Sequence, residues 1–264
     1  MSFLNLKNKT FLISGVSNKK SIATFVAKEL TSQEAQVILT VQNDEAKTRA
    51  TKIFPDADIY ILDVSKTGEV KNFGKMLQEK EVKLDGFLHS MAFANYSEGI
   101  KPYHETKFND LMEAIQISCF SLTSISNAIK DSLKNDASVV TVSISNTKAT
   151  NYGYMGPIKA MLDSSIAYLA KSFSVFSNIR FNAVCSGPLK TSASAGIPGY
   201  IENYLFAEQL TMRHQALKTQ EVADVISFLL SSRSSGVNAS GIVVDAGMNA
   251  NYFDEKVVEK FNQL

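Results

Sequence analysis

Residues 10–23 read TFLISGVSNKKSIA, and this stretch decides the fold. The β-favouring run at 10–14 predicts a strand, Gly15 allows a tight turn, and Ser21 can cap a helix that begins with Ile22. The free amides at such a helix start attract a pyrophosphate, so the unit is typical of a dinucleotide site. One glycine, Gly15, stands where the usual fingerprint has three. Taken alone, the stretch therefore fits an ordinary β–α turn with a serine cap better.

The rest of the chain repeats this alternation of short β-rich runs and longer helical patterns. Strands are predicted at 10–14, 37–41, 59–62, 86–89, 138–142, 179–184 and 242–245, and helices at 21–33, 44–54, 66–80, 107–134, 152–175 and 219–232. Most of the strands are continuously apolar, as parallel strands buried on both faces are. The pattern predicts one α/β domain over residues 1–264, a Rossmann-type doubly wound parallel sheet of about seven strands with flanking helices. The segment from about 189 to 216 breaks the rhythm after the sixth strand, and we expect it to cover the substrate.

The composition excludes several classes of protein. The 27 basic residues nearly balance 26 acidic ones, which removes the electrostatic basis for binding nucleic acid or an anionic membrane. The sequence has no apolar signal core and no run as long as a membrane span. Its two cysteines are too few for a disulfide framework, and its three scattered histidines form no zinc motif. These features predict a cytoplasmic protein without a metal, a membrane or a nucleic-acid partner.

The end of the second strand bears on cofactor choice. Gln42 is neutral and Asp44 is acidic, at the place where an adenosine ribose normally sits. An NADP site usually offers a basic group there to meet the 2′-phosphate, so NADH is favoured over NADPH. Lys19 and Lys20 in the first loop argue in the other direction, since either can reach towards a phosphate.

The third and fourth strands end in residues that suit the remaining parts of a dinucleotide. Asp63 and Val64 are placed to frame adenine, although Asp63 fits a helix cap equally well. The small or flexible residues Ser90, Met91 and Ala92 would let the backbone pack against a ribose or a nicotinamide. Ordinary core packing explains these three residues as well.

Tyr152 is followed seven residues later by Lys159, after the fifth predicted strand. A phenol and an ammonium that meet over a nicotinamide can stabilise the oxyanion formed when hydride adds to an unsaturated carbonyl compound. Each residue also has an ordinary interpretation, Tyr152 as a partly buried aromatic and Lys159 as a solvated lysine. The position after the fifth strand and before the Ser-Gly-Pro turn at 186–188 favours the catalytic interpretation.

Together these segments resemble the enoyl-[acyl-carrier-protein] reductases, a divergent branch of the short-chain dehydrogenase/reductases. The resemblance is carried by GVSNKKSIA at 15–23, QND at 42–44, LDV at 62–64, DGFLHS at 85–90, YGYMGPIK at 152–159, IRFNA at 179–183, SGPL at 186–189 and VDAG at 244–247. The six residues between Tyr152 and Lys159 are distinctive. Ordinary members of the superfamily have three, and here Met155, which cannot donate a proton, stands at the tyrosine position of that shorter spacing.

The resemblance implies that hydride from NADH adds to the β-carbon of a trans-2-enoyl thioester carried by acyl carrier protein or CoA. Tyr152 would hydrogen-bond the thioester oxygen, and Lys159 would hold the nicotinamide ribose and lower the pKa of Tyr152. Gly187, Pro188, Leu189 and Thr191 would lie along the nicotinamide, with the Leu189 amide on its carboxamide and Thr191 on a phosphate; a simple Gly-Pro turn is the alternative. The implied substrate contacts are Phe93, Ala94, Met155, Ile197 and Tyr200, and the implied assembly is a homotetramer. The apolar stretch that contains Ile197 and Tyr200 fits an acyl channel and a short amphipathic helix equally well.

The chain departs from the family at the position of a second active-site tyrosine. Ile144 takes its place, and no tyrosine occurs between Tyr103 and Tyr152. Tyr154, Tyr96 or a water are the candidates to replace the missing donor. Two alternatives therefore stay open beside enoyl reduction: a related reductase for another enone or carbonyl, and a weakly active dinucleotide-binding protein.

Overall fold

A computed structural model describes residues 3–191, 194 and 196–261, and within them seven parallel strands form one sheet in the order β3-β2-β1-β4-β5-β6-β7. The strands are β1 (Thr10–Ser14), β2 (Gln36–Val41), β3 (Asp58–Ile61), β4 (Leu84–His89), β5 (Leu133–Ile144), β6 (Arg180–Ser186) and β7 (Ser240–Val244). The predicted fold class is confirmed. Each predicted strand is present, and most bounds differ by one or two residues.

The strand order reverses between β1 and β4, which lie side by side. Ser14 pairs with Thr40 of β2 on one side and with His89 of β4 on the other. The hydroxyl of Thr40 donates to that of Ser14 across 2.7 Å, deep inside the sheet. The loops that leave β1, β2 and β4 therefore begin at one edge, and the crevice at such a switch point is where open α/β sheets bind ligands.

Helices cover both faces of the sheet because each presents one apolar stripe to it. They are α1 (Ile22–Ser32), α2 (Asp44–Thr51), α3 (Thr67–Glu79), α4 (Phe108–Ile115), α5 (Ser121–Ala128), α6 (Met155–Phe173), α7 (Tyr200–Leu210), α8 (Thr219–Leu230) and α9 (Glu255–Phe261). Residues of α3, α5 and α6 pack with one face of the sheet, and residues of α1, α2 and α8 pack with the other. No helix among the described residues is long and apolar enough to cross a membrane.

The structure corrects the predicted helix at 107–134. The helical backbone divides into α4, a π-helical turn at Gln116–Phe120 and α5, and it ends at Ala128. β5 begins at Leu133, which pairs with Leu84 before a register shift. An irregular strand start of this kind carries no alternation that a sequence pattern can detect.

The segment at 189–216 contains α7, and a short helix is one of the two interpretations that the sequence leaves open for this apolar stretch. The helix lies beyond the carboxyl end of β6, and Gly199, with φ of 67°, precedes its first residue. Residues 192, 193 and 195, part of the expected substrate cover, lie outside the described residues. The covering role of the segment stays a prediction.

The opposite edge of the sheet, at the start of β6, is tied together by one buried arginine. The guanidinium of Arg180 donates to four backbone carbonyls that follow or end α8, those of residues 229, 231, 234 and 237, at 2.8–3.2 Å. Each of these carbonyls also accepts from another donor of the chain, so the arginine supplies their second hydrogen bonds and links the end of α8 to the start of β6.

Candidate active site

The loop after β1 is pressed against the chain that leaves β4. Gly15 has φ of 95°, and a Cβ added there would lie 1.9 Å from the Ser90 carbonyl oxygen. No side chain fits this position, so the glycine is required by close backbone approach and by its conformation. The approach brings the first loop and the Ser90 backbone together at the switch point.

Ser21 begins α1 as the sequence predicts. Its hydroxyl accepts a hydrogen bond from the Thr24 amide at 3.3 Å, and Ile22 is the first helical residue. The capped helix start points into the same loop as Gly15. A dinucleotide pyrophosphate fits this arrangement, because the cradle is too tight for a Cβ and the first amides of a helix attract anions.

α2 places a cation beside the first loop that the sequence analysis missed. Arg49 of α2 donates its Nε–H to the Ser17 carbonyl at 3.1 Å, and its guanidinium pairs with the Glu45 carboxylate one turn earlier. Gln42 is exposed, and the neighbouring Asn43 caps α2 through the Ala46 amide at 2.9 Å. The spacing of Glu45 and Arg49 predicts their ion pair, but not the contact with a loop 32 residues away.

Asp63 forms a turn after β3. One carboxylate oxygen accepts from the Ser65 amide at 3.0 Å and from the Ser65 hydroxyl at 2.6 Å. Partial burial raises the pKa of Asp63, but the Ser65 hydrogen bonds and the Lys66 ammonium outweigh it, so the pKa lies below its ordinary value. Val64 is buried in the core beside it. The turn explains both residues locally, and their contact with adenine stays a prediction.

The chain after β4 is held by a serine from the π-helical turn. Ser118 is fully buried, and its hydroxyl accepts from the Phe93 amide at 2.8 Å and donates to the Phe93 carbonyl at 3.0 Å. Ala92 and Phe93 are exposed, while Ser90, Met91 and Ala94 are half-buried. The hydrogen bonds of Ser118 thus position the residues predicted to contact nicotinamide and substrate. No sequence motif marks Ser118, because its place depends on the π turn.

Lys159 lies on α6 and is 4% exposed, with its ammonium under the end of β5. Nζ donates to the Val142 carbonyl at 2.8 Å. Burial lowers the pKa of Lys159 to about 8, against the opposing effect of the Asp163 carboxylate. An ammonium has three N–H donors, so this hydrogen bond leaves donors available to a ligand.

Tyr152 ends a short 3-10 turn at Thr150–Tyr152 and is half-buried. Burial raises the pKa of Tyr152 to about 12, and the neighbouring Tyr200 phenol adds to the rise. The expectation that Lys159 lowers this pKa is therefore wrong, because loss of hydration and the Tyr200 phenol raise it. Within the described residues no hydrogen bond joins the side chains of Tyr152 and Lys159; their convergence on a nicotinamide stays a prediction.

Two of the candidates for the missing second tyrosine are already engaged. The Tyr154 hydroxyl accepts from the Asn95 amide at 2.8 Å and lies 3.2 Å from the Asn95 carbonyl. The Tyr96 hydroxyl donates to the Tyr152 carbonyl at 3.2 Å. Ile144 is the last residue of β5, in register with Ser186. A third phenol, that of Tyr200, lies near Tyr152, and no sequence pattern indicates this contact.

The loop after β6 closes on itself around Leu189. A Cβ on Gly187 would lie 3.0 Å from that of Asp245, so the turn packs tightly under β7. Leu189 is buried, whereas Pro188 and Thr191 are half-buried. The Tyr200 hydroxyl bonds both the amide and the carbonyl of Leu189, at 2.9 and 2.8 Å. Ile197 lies at the start of the same turn into α7, half-buried and bonded to the Ser194 carbonyl at 3.1 Å.

Met155 differs from the other predicted substrate contacts in being 2% exposed and part of the core under the sheet. Its role towards substrate stays a prediction.

His89 is a core residue, as expected. Its ring nitrogens lie 2.8 Å from the Thr141 hydroxyl and 2.7 Å from that of Ser121, and burial lowers its pKa to about 3, so it is neutral.

A doubly wound parallel sheet with a capped helix start, a glycine cradle and a buried lysine at one carboxyl edge defines a Rossmann-type dinucleotide-binding protein. A family model described as Enoyl-(Acyl carrier protein) reductase matches residues 15–249. This chain therefore belongs to the enoyl-[acyl-carrier-protein] reductase family.

Individual relatives support the same membership. Enoyl-[acyl-carrier-protein] reductase [NADPH] FabI of Staphylococcus aureus (strain MRSA252) is 32% identical over 94% of this chain and 99% of its own. Enoyl-[acyl-carrier-protein] reductase [NADH] FabI of Enterococcus faecalis (strain ATCC 700802 / V583) is 30% identical over 92% and 98%. The crystal structure of enoyl-[acyl-carrier-protein] reductase (NADH) from Aquifex aeolicus VF5 superposes with a TM-score of 0.87 at 28% identity, over 92% of this chain and 97% of that one.

Proposed function

We propose that this protein reduces trans-2-enoyl thioesters of acyl carrier protein or CoA in fatty-acid synthesis, with a nicotinamide dinucleotide as cofactor. The observation that carries the proposal is the buried Lys159 ammonium at the carboxyl end of β5, seven residues after Tyr152, in a chain of this family. The bound dinucleotide would supply the hydride. Gly15 and the start of α1 would hold its pyrophosphate, Leu189 its carboxamide and Lys159 its nicotinamide ribose.

The chain's own contribution to the chemistry is an oxyanion site. With a pKa raised to about 12, Tyr152 keeps its proton at neutral pH and can donate it in a hydrogen bond to the thioester oxygen. One such donor stabilises a transition state by about 2.7–4 kcal/mol. Lys159, with a pKa of about 8, is charged at neutral pH and would add to the stabilisation of negative charge.

We propose that NADH is preferred over NADPH. Support comes from exposed Gln42 and from Asp44 and Glu45 in the first turn of α2, which are neutral or acidic where a 2′-phosphate would need a cation. Arg49, which contacts the first loop, is already paired with Glu45, whereas Lys19 and Lys20 within that loop argue in the other direction. Relatives of both kinds exist, and the ratio of kcat/KM for NADH to that for NADPH decides the preference.

We propose a homotetramer in the cytoplasm, assembled through α4 and α6. Large apolar side chains are exposed on these helices, including Phe108 at 72% and Tyr168 at 76%. Large exposed apolar side chains that lie together commonly mark a protein interface, and we propose that those of α4 and α6 do so here. Light scattering coupled to size-exclusion chromatography measures the assembly, and a monomer at micromolar concentration would contradict it.

Oxidation of NADH tests the reaction, with crotonyl-CoA and an enoyl-acyl carrier protein as substrates against a panel of ketones and other enones. Turnover confined to the enoyl thioesters supports the proposal. Turnover of another carbonyl compound alone would favour a related reductase. Binding of NADH without turnover would favour a weakly active dinucleotide-binding protein. Ile144 motivates this alternative, because its side chain has no hydrogen-bond donor.

A further inference from the structure

The backbone of Leu189 is saturated by other groups of the chain itself. Its amide donates to the Tyr200 hydroxyl at 2.9 Å. Its carbonyl accepts from the Tyr200 hydroxyl at 2.8 Å, from the Ser194 hydroxyl, also at 2.8 Å, and from the Thr191 amide at 3.0 Å. An amide has one N–H and a carbonyl oxygen has two lone pairs, so every hydrogen-bonding position of this residue is in use.

A primary carboxamide can hydrogen-bond to the same amide and carbonyl of Leu189 as the Tyr200 hydroxyl does. It carries an acceptor oxygen and an NH₂ donor, as a phenol is both acceptor and donor. The Leu189 amide therefore cannot bond fully to the nicotinamide carboxamide and to Tyr200 at once. Leu189 is buried, so a carboxamide that failed to displace the phenol would lose solvent hydrogen bonds without replacement.

We propose that Tyr200 is a positioning residue that competes with the nicotinamide carboxamide for the backbone of Leu189, so that cofactor binding requires its release. The inference rests on the proposed function, in which Leu189 meets that carboxamide. Since Tyr200 is the first residue of α7, its release couples the seating of the nicotinamide to the position of this helix. The apparent affinity for the dinucleotide is then the intrinsic affinity multiplied by the fraction of molecules in which the phenol is released.

The test compares affinities for NADH and for ADP-ribose, which lacks the nicotinamide, in the intact protein. Tyr200→Phe removes the competing hydroxyl and keeps the ring. We expect its Kd for NADH to fall about threefold to tenfold, the factor for one net hydrogen bond, with the Kd for ADP-ribose unchanged. A purely structural anchor predicts the opposite sign, because loosening α7 would weaken NADH binding.

The matched control is Tyr204→Phe, one turn further along α7, where the ring packs under the Lys190 ammonium at 4.6 Å. It should leave both affinities unchanged. Equal or weaker NADH binding by Tyr200→Phe overturns the inference, and so does equal tightening for ADP-ribose. A wild-type protein that binds neither NADH nor NADPH would refute the proposed function itself, and this competition with it. Thermal melting of each variant confirms that it is folded.

Discussion

Two buried cations serve opposite edges of the same sheet, and their hydrogen bonds differ. Arg180, 7% exposed at the start of β6, donates to four carbonyls around the end of α8. Lys159, 4% exposed near the end of β5, donates to the Val142 carbonyl. The arginine is occupied by the fold, whereas the lysine retains donors for a ligand. The comparison teaches that burial of a charge does not mark a site by itself; its remaining hydrogen-bonding capacity does.

Substitution of Arg180 should have the largest effect, and the only quantity that changes should be stability. Arg180→Met removes four buried hydrogen bonds, and at about 1 kcal/mol for each we expect the free energy of unfolding to fall by about 3–5 kcal/mol. Denaturation by guanidinium chloride measures the loss. Arg233→Met, which removes an exposed arginine on the same edge, is the control and should change stability far less. A loss no greater than that of the control would show that Arg180 does not hold this edge together.

At the carboxyl edge of the sheet, substitution of Tyr152 should lower turnover rather than stability. Tyr152→Phe removes the proposed oxyanion donor, so we expect kcat with crotonyl-CoA to fall about 10²–10³-fold while NADH affinity is unchanged. Tyr168→Phe, on the exposed face of α6, is the matched control. Steady-state kinetics and fluorescence titration separate the two quantities. A fall of less than about tenfold would assign the oxyanion to another donor.

Burial of Lys159 should make the free energy of unfolding depend on pH. Its pKa falls from 10.5 in the unfolded chain to about 8 in the folded one, chiefly through burial. Between these values the folded protein has lost a proton that the unfolded chain still holds, so the lysine's contribution to stability rises with pH. The wild type should therefore gain stability relative to Lys159→Met above pH about 8, by about 1.4 kcal/mol per pH unit.

Unfolding of both proteins by guanidinium chloride at several pH values measures that difference. Below pH about 8 it should be flat, because both states are protonated. Arg180→Met provides the contrast, since an arginine stays charged throughout this range and its difference from the wild type should not change. A flat difference for Lys159→Met up to pH 10 would mean that the ammonium is hydrated rather than buried.

The smallest expected effect concerns Arg49, an exposed cation near the first loop. Glu45→Gln removes its ion-pair partner, and we expect kcat/KM for NADPH to rise a few-fold, with that for NADH little changed. Glu79→Gln, at the end of α3 and away from the first loop, is the control. An unchanged ratio of the two cofactors would show that Arg49 does not reach the 2′-phosphate.

The sequence predicts the sheet well because parallel strands that are buried on both faces consist of continuous apolar residues. It predicts α1 and its Ser21 cap because capping depends on neighbouring residues alone. It does not predict the division of the helix at 107–134, since a π turn has no pattern of its own. It leaves α7 open as one of two interpretations, because the helix follows a loop at the edge of the sheet and lacks a clear apolar stripe.

The candidate site divides in the same way. The chain itself determines which residue types stand after each strand, and thereby the family and the positions of Gly15, Tyr152 and Lys159. Tertiary structure alone decides that the Ser90 carbonyl, just after β4, forbids any side chain at Gly15, that burial raises the pKa of Tyr152, and that a phenol from α7 occupies the amide of Leu189. Sequence periodicity reports a residue's own element, whereas close approach, loss of water and competition for one N–H arise only where separate elements meet.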